Sequence, residues 1–133
     1  MVHAALAATA RGLEDDALRV LCRSLLVEYE RPVDDRGEPL ELEELLGMVT
    51  RVRNSDLWRR ADAAGTVLAE VPFASWHPDS GSAGVLVEGV VDLAFEDDEG
   101  WTVADYKTDV GDDPDFDART ARYRRQVEEY ARI

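Results

Sequence analysis

Two short apolar runs, Gly89–Leu93 and Trp101–Thr108, carry charge where a strand would hold buried side chains. Asp92 lies in the first run, and Asp105 and Lys107 in the second. Burying unpaired charge is costly, so the fold must bring these three groups together or turn them to water. Glu96-Asp97-Asp98-Glu99-Gly100 separates the runs as a tight acidic turn, which predicts an antiparallel hairpin of Val85–Phe95 with Trp101–Thr108. Strand side chains alternate faces. Glu88, Val90 and Asp92 therefore share one face, with Val87, Val91 and Leu93 on the other. Trp101, Val103, Asp105 and Lys107 share a face in the second strand, and the hairpin can set Asp92 beside them.

Upstream, the pattern is helical. Val2–Ala10 reads as a short helical segment. Leu13, Ala17, Leu21 and Leu25 recur every four residues, joined by Leu18, Cys22, Leu26 and Tyr29, as one apolar stripe. Arg31-Pro32 and Asp34-Asp35-Arg36-Gly37 end that helix. Leu40, Leu42, Leu45, Leu46 and Val49 predict a second, and Leu57, Trp58 and Ala61 a short third behind a cap at Asn54 or Ser55. Gly65 closes the helical half. Thr66–Val71 is a strand that Pro72 ends or confines to an edge. Its Glu70 shares a face with Leu68, within reach of the hairpin if the three strands are neighbours. A turn-rich loop follows at His77–Ser82, an aspartate-rich loop spans Asp109–Asp117, and a final helix starts at Ala118. The fold class is α/β: N-terminal helices, a three-stranded, mostly antiparallel sheet and a C-terminal helix.

At 133 residues the chain suits one domain, and 45% hydrophobic residues supply one core. No run approaches the ~20 apolar residues that cross a bilayer, and no signal peptide is evident. The single cysteine, Cys22, excludes an internal disulfide and reads as a buried thiol. A cytoplasmic location is compatible with that count. Fifteen basic against twenty-nine acidic residues give a net charge of −14, unlike a free-standing nucleic-acid binder. An acidic catalytic module that receives DNA from a basic partner fits this charge. Lys107 is the sole lysine among those fifteen, and it stands beside Asp105.

Hard cations such as Mg²⁺ take oxygen ligands, and carboxylates on adjacent strands can hold one while leaving room for water and phosphate. A nearby lysine can stabilise charge developing on the phosphorus centre. Asp92, Asp105 and Lys107 meet this requirement. From spacing alone, the alternative is an ion pair at a sheet edge with Asp92 solvated.

The order Gly89-Val90-Val91-Asp92-Leu93, then Asp105-Tyr106-Lys107-Thr108, resembles the nuclease motif of the RecB and AddA type in the PD-(D/E)xK superfamily. That resemblance implies metal binding by Asp92, Asp105 and the carbonyl of Tyr106. Gln126-Val127-Glu128-Glu129-Tyr130 is similar to the family's Gln-x-x-x-Tyr motif. Gln126 and Tyr130 then share one helical face and contact DNA backbone or steady the catalytic Lys107. Val2-His3-Ala4-Ala5-Leu6 matches a Val-His-x-x-Leu pattern whose histidine completes the metal shell. Glu70-Val71-Pro72-Phe73 resembles a Glu-x-Pro-Phe segment whose glutamate lies near the active centre.

The resemblance implies a restriction-endonuclease-like core cut short before its final strand, with residues 1–133 a RecB-like nuclease domain within a longer protein. It implies hydrolysis of DNA phosphodiester bonds with Mg²⁺ or Mn²⁺, as an exonuclease on single strands in double-strand-break repair. The implied partners are DNA and helicase domains or a partner chain of a helicase-nuclease, with no membrane. The alternative is a catalytically inactive structural or DNA-tethering domain of a helicase complex. Arg119, Arg122, Arg124, Arg125 and Arg132 concentrate positive charge on the last helix, for phosphate contact or for pairing with the aspartate-rich loop. Trp58 and Trp76 read as packing residues, and His77 as a solvated loop histidine.

Overall fold

In the computed structural model, which describes residues 1–78, 84–107 and 115–130, four helices precede the sheet. They are α1 (Val2–Ala10), α2 (Asp15–Glu28), α3 (Leu42–Arg53) and α4 (Asp56–Ala63). Strands β1 (Thr66–His77), β2 (Val85–Asp97) and β3 (Gly100–Ala104) form an open antiparallel sheet in that order, and α5 (Phe116–Tyr130) follows.

The helical stripes close on one side of the sheet. Leu18, Cys22 and Leu26 of α2 meet Leu42, Leu45 and Val49 of α3, with Ala5 and Leu6 of α1 and Leu93 and Phe95 of β2 in the same core. Cys22 is buried, as its place on the stripe predicts, and burial pushes its thiol pKa up. Five members of the predicted stripes are not in this core: Ala17, Tyr29 and Leu40 are exposed, and Leu21 and Leu25 are half-buried. Tyr29 forms the C-terminal cap of α2, and Leu40 precedes α3; both face solvent. Ser55 caps α4, its Oγ accepting from the Trp58 amide at 3.2 Å, which aims Trp58 into the core.

Arg60 fastens α4 to the hairpin. Its guanidinium donates to Asp97 at 2.8 Å and to Thr102 at 3.3 Å, pairs with Glu99 at 3.0 Å, and lies over the Phe95 ring. The hydrogen bond from Arg60 holds the Asp97 carboxyl below its usual pKa, against a smaller opposing effect of burial. Nothing local in the sequence marks this residue, because its partners are 37 and 42 positions away.

The sheet departs from the sequence reading at three ends. Of the two readings of Pro72 the edge one holds: β1 does not stop there but continues to His77, with Pro72 opposite Val90. As an edge strand, β1 has one side without a partner in the sheet, so a residue without an N–H is tolerated there. His77 accordingly ends a strand instead of sitting in a loop. Trp76 is 59% exposed, its ring lying against Gly84, whereas Trp58 is a core residue. At the hairpin, Asp97 pairs with Gly100, leaving Asp98 and Glu99 as the turn. β3 ends at Ala104, not Thr108, for a reason that belongs to the site. Residues 79–83 and most of the aspartate-rich loop (108–114) lie outside the described residues, as does Arg132; α5 begins at Phe116, inside the span read as loop.

Candidate functional site

The hairpin register brings the two aspartates together. Leu93 faces Ala104 in the last pair of β2 and β3, so the next step sets Asp92 and Asp105 opposite one another. A two-residue turn at Asp98-Glu99 makes this unavoidable, because both aspartates lie six residues from it. Asp92 then takes over the ladder. Its Oδ2 accepts from the Tyr106 amide at 2.7 Å, so this N–H finds its acceptor in a side chain and the chain leaves the sheet. That bond ends β3, and Asp105, Tyr106 and Lys107 follow outside the ladder beside the middle of β2.

Lys107 returns to Asp105 as an ion pair, and its ammonium lies 4.6 Å from the centre of the Tyr123 ring on α5. The Asp105 side chain is 6% exposed and that of Asp92 11%. Asp105 Oδ2 is buried without a hydrogen bond aligned on it. Partial burial pulls the Lys107 pKa down, but Asp105, then Asp92 and Tyr123, outweigh this, and the net shift is upward. His3 approaches from α1, its Nδ1 3.6 Å from Asp92 Oδ1 and its ring 6.1 Å from that of Tyr106. Burial, and then the charge of Asp92, push the Tyr106 phenol upward in pKa, so it is neutral near pH 7.

Glu70 occupies the position across from Asp92 on the other flank, between the pairs Ala69–Leu93 and Val71–Val91. The three acids therefore stand in one transverse row of the sheet. Glu70 does not complete the ladder: its φ is +53°, in the left-handed region. Arg11, in the turn after α1, holds it there by donating to Ala69 O at 3.0 Å and Glu70 Oε2 at 3.1 Å. A left-handed glutamate within a strand has no sequence signal.

Gln126 donates to the Tyr130 hydroxyl, joining the two residues of the C-terminal motif. Tyr130 packs edge-on against Phe73 at 4.8 Å between ring centres. Gly89 lies beneath both: a Cβ there would stand 2.7 Å from the Phe73 ring and 3.3 Å from the Tyr130 hydroxyl. The glycine of the Asp92 run, the phenylalanine after Glu70 and the tyrosine of α5 thus form one packing unit that seats the helix. Sequence reading missed Tyr123, although it lies three residues before Gln126 and seven before Tyr130, on the same stripe of α5.

Among the described residues, no three His, Cys, Asp or Glu side chains form a group that could by itself enclose a metal ion, and no helix is long and apolar enough to cross a membrane. Mg²⁺ does not need such a group, since it is commonly held by one or two carboxylates plus water and substrate phosphate. The facing carboxylates of Asp92 and Asp105 are oxygen donors of the kind it takes, and Asp105 Oδ2 lacks an aligned donor.

The family model of the PD-(D/E)XK nuclease superfamily matches residues 1–132. The chain belongs to that superfamily. It is also 37% identical over 92 residues to an ATP-dependent helicase/nuclease subunit of Heliobacterium modesticaldum, a match covering 63% of this chain and 6% of that protein. The same-named protein of Geobacillus thermodenitrificans is 34% identical over 117 residues, 81% of this chain and 8% of the relative. For that of Bacillus cereus the figures are 30% over 124 residues, 80% and 10%. The chain spans a tenth or less of the length of these relatives. The superfamily domain is thus related to helicase-nuclease proteins, as the motifs in the strands imply.

Proposed function

We propose that this domain hydrolyses DNA phosphodiester bonds with a divalent metal, acting as an exonuclease on single strands delivered by helicase domains or a partner chain during double-strand-break repair. The observation that carries this reading is the facing of Asp92 and Asp105 across the hairpin, with Lys107 ion-paired to Asp105, in a chain of nuclease ancestry. Asp92, Asp105, the Tyr106 carbonyl and His3 would hold Mg²⁺ or Mn²⁺. Bound there, the ion would supply Lewis-acid stabilisation of the phosphate and a more acidic water.

The remaining roles follow from the chain's own groups. In the metal-free site Lys107 is protonated at neutral pH, because Asp105 and Asp92 raise its pKa from an already high value. It therefore works as a fixed positive charge on the developing phosphorane and not as a base. Tyr123 lies against its ammonium and holds it on the Asp105 side. Asp92 has a second task, since its bond to the Tyr106 amide aims the Tyr106 carbonyl and the Lys107 side chain. Gln126 and Tyr130, on α5, contact the DNA backbone or steady the catalytic lysine. Glu70, held by Arg11 beside the acidic row, serves the same centre through water.

Degradation of an end-labelled single-stranded oligonucleotide by this chain tests the reading. Millimolar Mg²⁺ or Mn²⁺ should support progressive shortening, and EDTA should stop it. An intact strand with every metal, alongside retained DNA binding, would make the domain a DNA-tethering module instead.

A further inference from the structure

Beside Asp105 and Lys107 a cleft of about 500 Å³ opens toward α5, lined there by Thr120, Tyr123, Arg124 and Val127. These four follow the i, i+3, i+4, i+7 spacing of one helical face. The lining holds two donors from α5, the Thr120 hydroxyl and the Arg124 guanidinium, together with Lys107. Glu128 closes the far rim one turn beyond Arg124.

What sets Arg124 apart is its place in the lining of this cleft, beside Asp105 and Lys107. Arg11, Arg19, Arg23, Arg31, Arg53, Arg59 and Arg60 each pair with an acidic side chain. Among the described residues Arg124, like Arg36, Arg51, Arg122 and Arg125, pairs with none, although the chain carries a charge of −14. At the mouth of this cleft, an arginine with no acidic partner among the described residues can meet an anion from outside. A guanidinium suits phosphate by its planar fork of donors.

We propose that this cleft is a backbone-phosphate subsite, in which Arg124, assisted by Thr120, takes the single-strand phosphate next to the one at Asp105 and Lys107. The inference rests on the reading of Asp105 and Lys107 as the seat of the scissile phosphate. It adds the direction in which the strand runs: along α5, on the face that presents Tyr123. Val127 lines the same cleft without a donor, so recognition there is of backbone and not of base, as suits a nuclease without sequence preference.

Fluorescence anisotropy with a labelled oligothymidylate, measured in EDTA across a series of salt concentrations, tests the subsite. Arg124→Gln should weaken binding about tenfold at low salt and flatten the log–log salt slope by about 0.7, the value for one phosphate on a single strand. Arg124→Lys should restore the slope. Arg122→Gln, on the opposite side of α5, should leave it unchanged. In Mg²⁺, Arg124→Gln should raise KM for cleavage while kcat holds. Equal slopes for the wild type and Arg124→Gln, equal losses in the two glutamine variants, or no binding by the wild type would each overturn the subsite. The two readings separate cleanly. Cleavage with no Arg124-dependent slope removes the subsite alone, whereas an Arg124-dependent slope without cleavage keeps the subsite and removes the nuclease reading.

Discussion

Asp105→Asn and Lys107→Ala are each expected to lower single-strand cleavage by about 10²–10³-fold or more, the scale on which removing one preorganised charge acts in an active site. Asparagine keeps the shape of the side chain and removes its charge. The packing around a group only 6% exposed is therefore retained, while the Lys107 ammonium loses its partner and the metal loses a ligand. Lys107→Ala removes the cation and leaves the Asp105 carboxylate in place. The pH behaviour follows from the sign of the shift. A lysine whose pKa rises on folding contributes to stability below its unfolded value of about 10.4, and that contribution is lost as pH climbs through the folded value. In the metal-free protein no loss of stability due to Lys107 should therefore appear between pH 7 and pH 9. Cleavage kinetics of both variants, with circular dichroism as the check on folding, decide the matter. Undiminished cutting in either variant would show that these groups carry no catalysis.

Phe95→Ala is expected to be the most damaging single change to stability, at about 3–5 kcal/mol. Phe95 has no exposed surface and is the largest fully buried side chain. It belongs to the core that joins β2 to the helices, and the Arg60 guanidinium lies 5.5 Å from its ring centre. Truncation leaves a cavity that the helices and the sheet cannot both close, and it removes the platform on which Arg60 reaches Asp97 and Glu99. For a domain of this size the loss corresponds to a fall in Tm of about 10–20 °C. Calorimetry measures it directly. A shift below about 3 °C would mean that the helical half and the sheet do not share this core.

Much of this architecture could be read in advance, for reasons visible in particular residues. The stripe through Leu18, Cys22 and Leu26 has helical period and is buried as one face. The hairpin was legible because a short turn fixes its register. Once Asp98 and Glu99 are the turn, Asp92 must face Asp105. The limits of the strands were less visible. Pro72 carries a local penalty that the edge position of β1 removes, and edge position is a property of the whole sheet. β3 ends early because Asp92 captures the Tyr106 amide, a bond between residues 14 apart that no strand propensity encodes. The left-handed Glu70 and its clamp by Arg11, 59 positions away, are likewise products of the assembled fold. Gly89 lies between these cases. Its place in an apolar strand hints at close packing, but Phe73 and Tyr130 as the groups above it emerge only in three dimensions.

The central claim is that the facing aspartates form a divalent-metal centre. Diffraction from crystals of this chain soaked in millimolar Mn²⁺, with data collected for the anomalous signal of manganese, addresses it most directly. An anomalous peak is expected, bounded by the carboxylates of Asp92 and Asp105 and the carbonyl of Tyr106, with His3 on the side of α1, at ligand distances of about 2.0–2.2 Å. No peak there at millimolar Mn²⁺, with Asp92 turned to solvent, would contradict it.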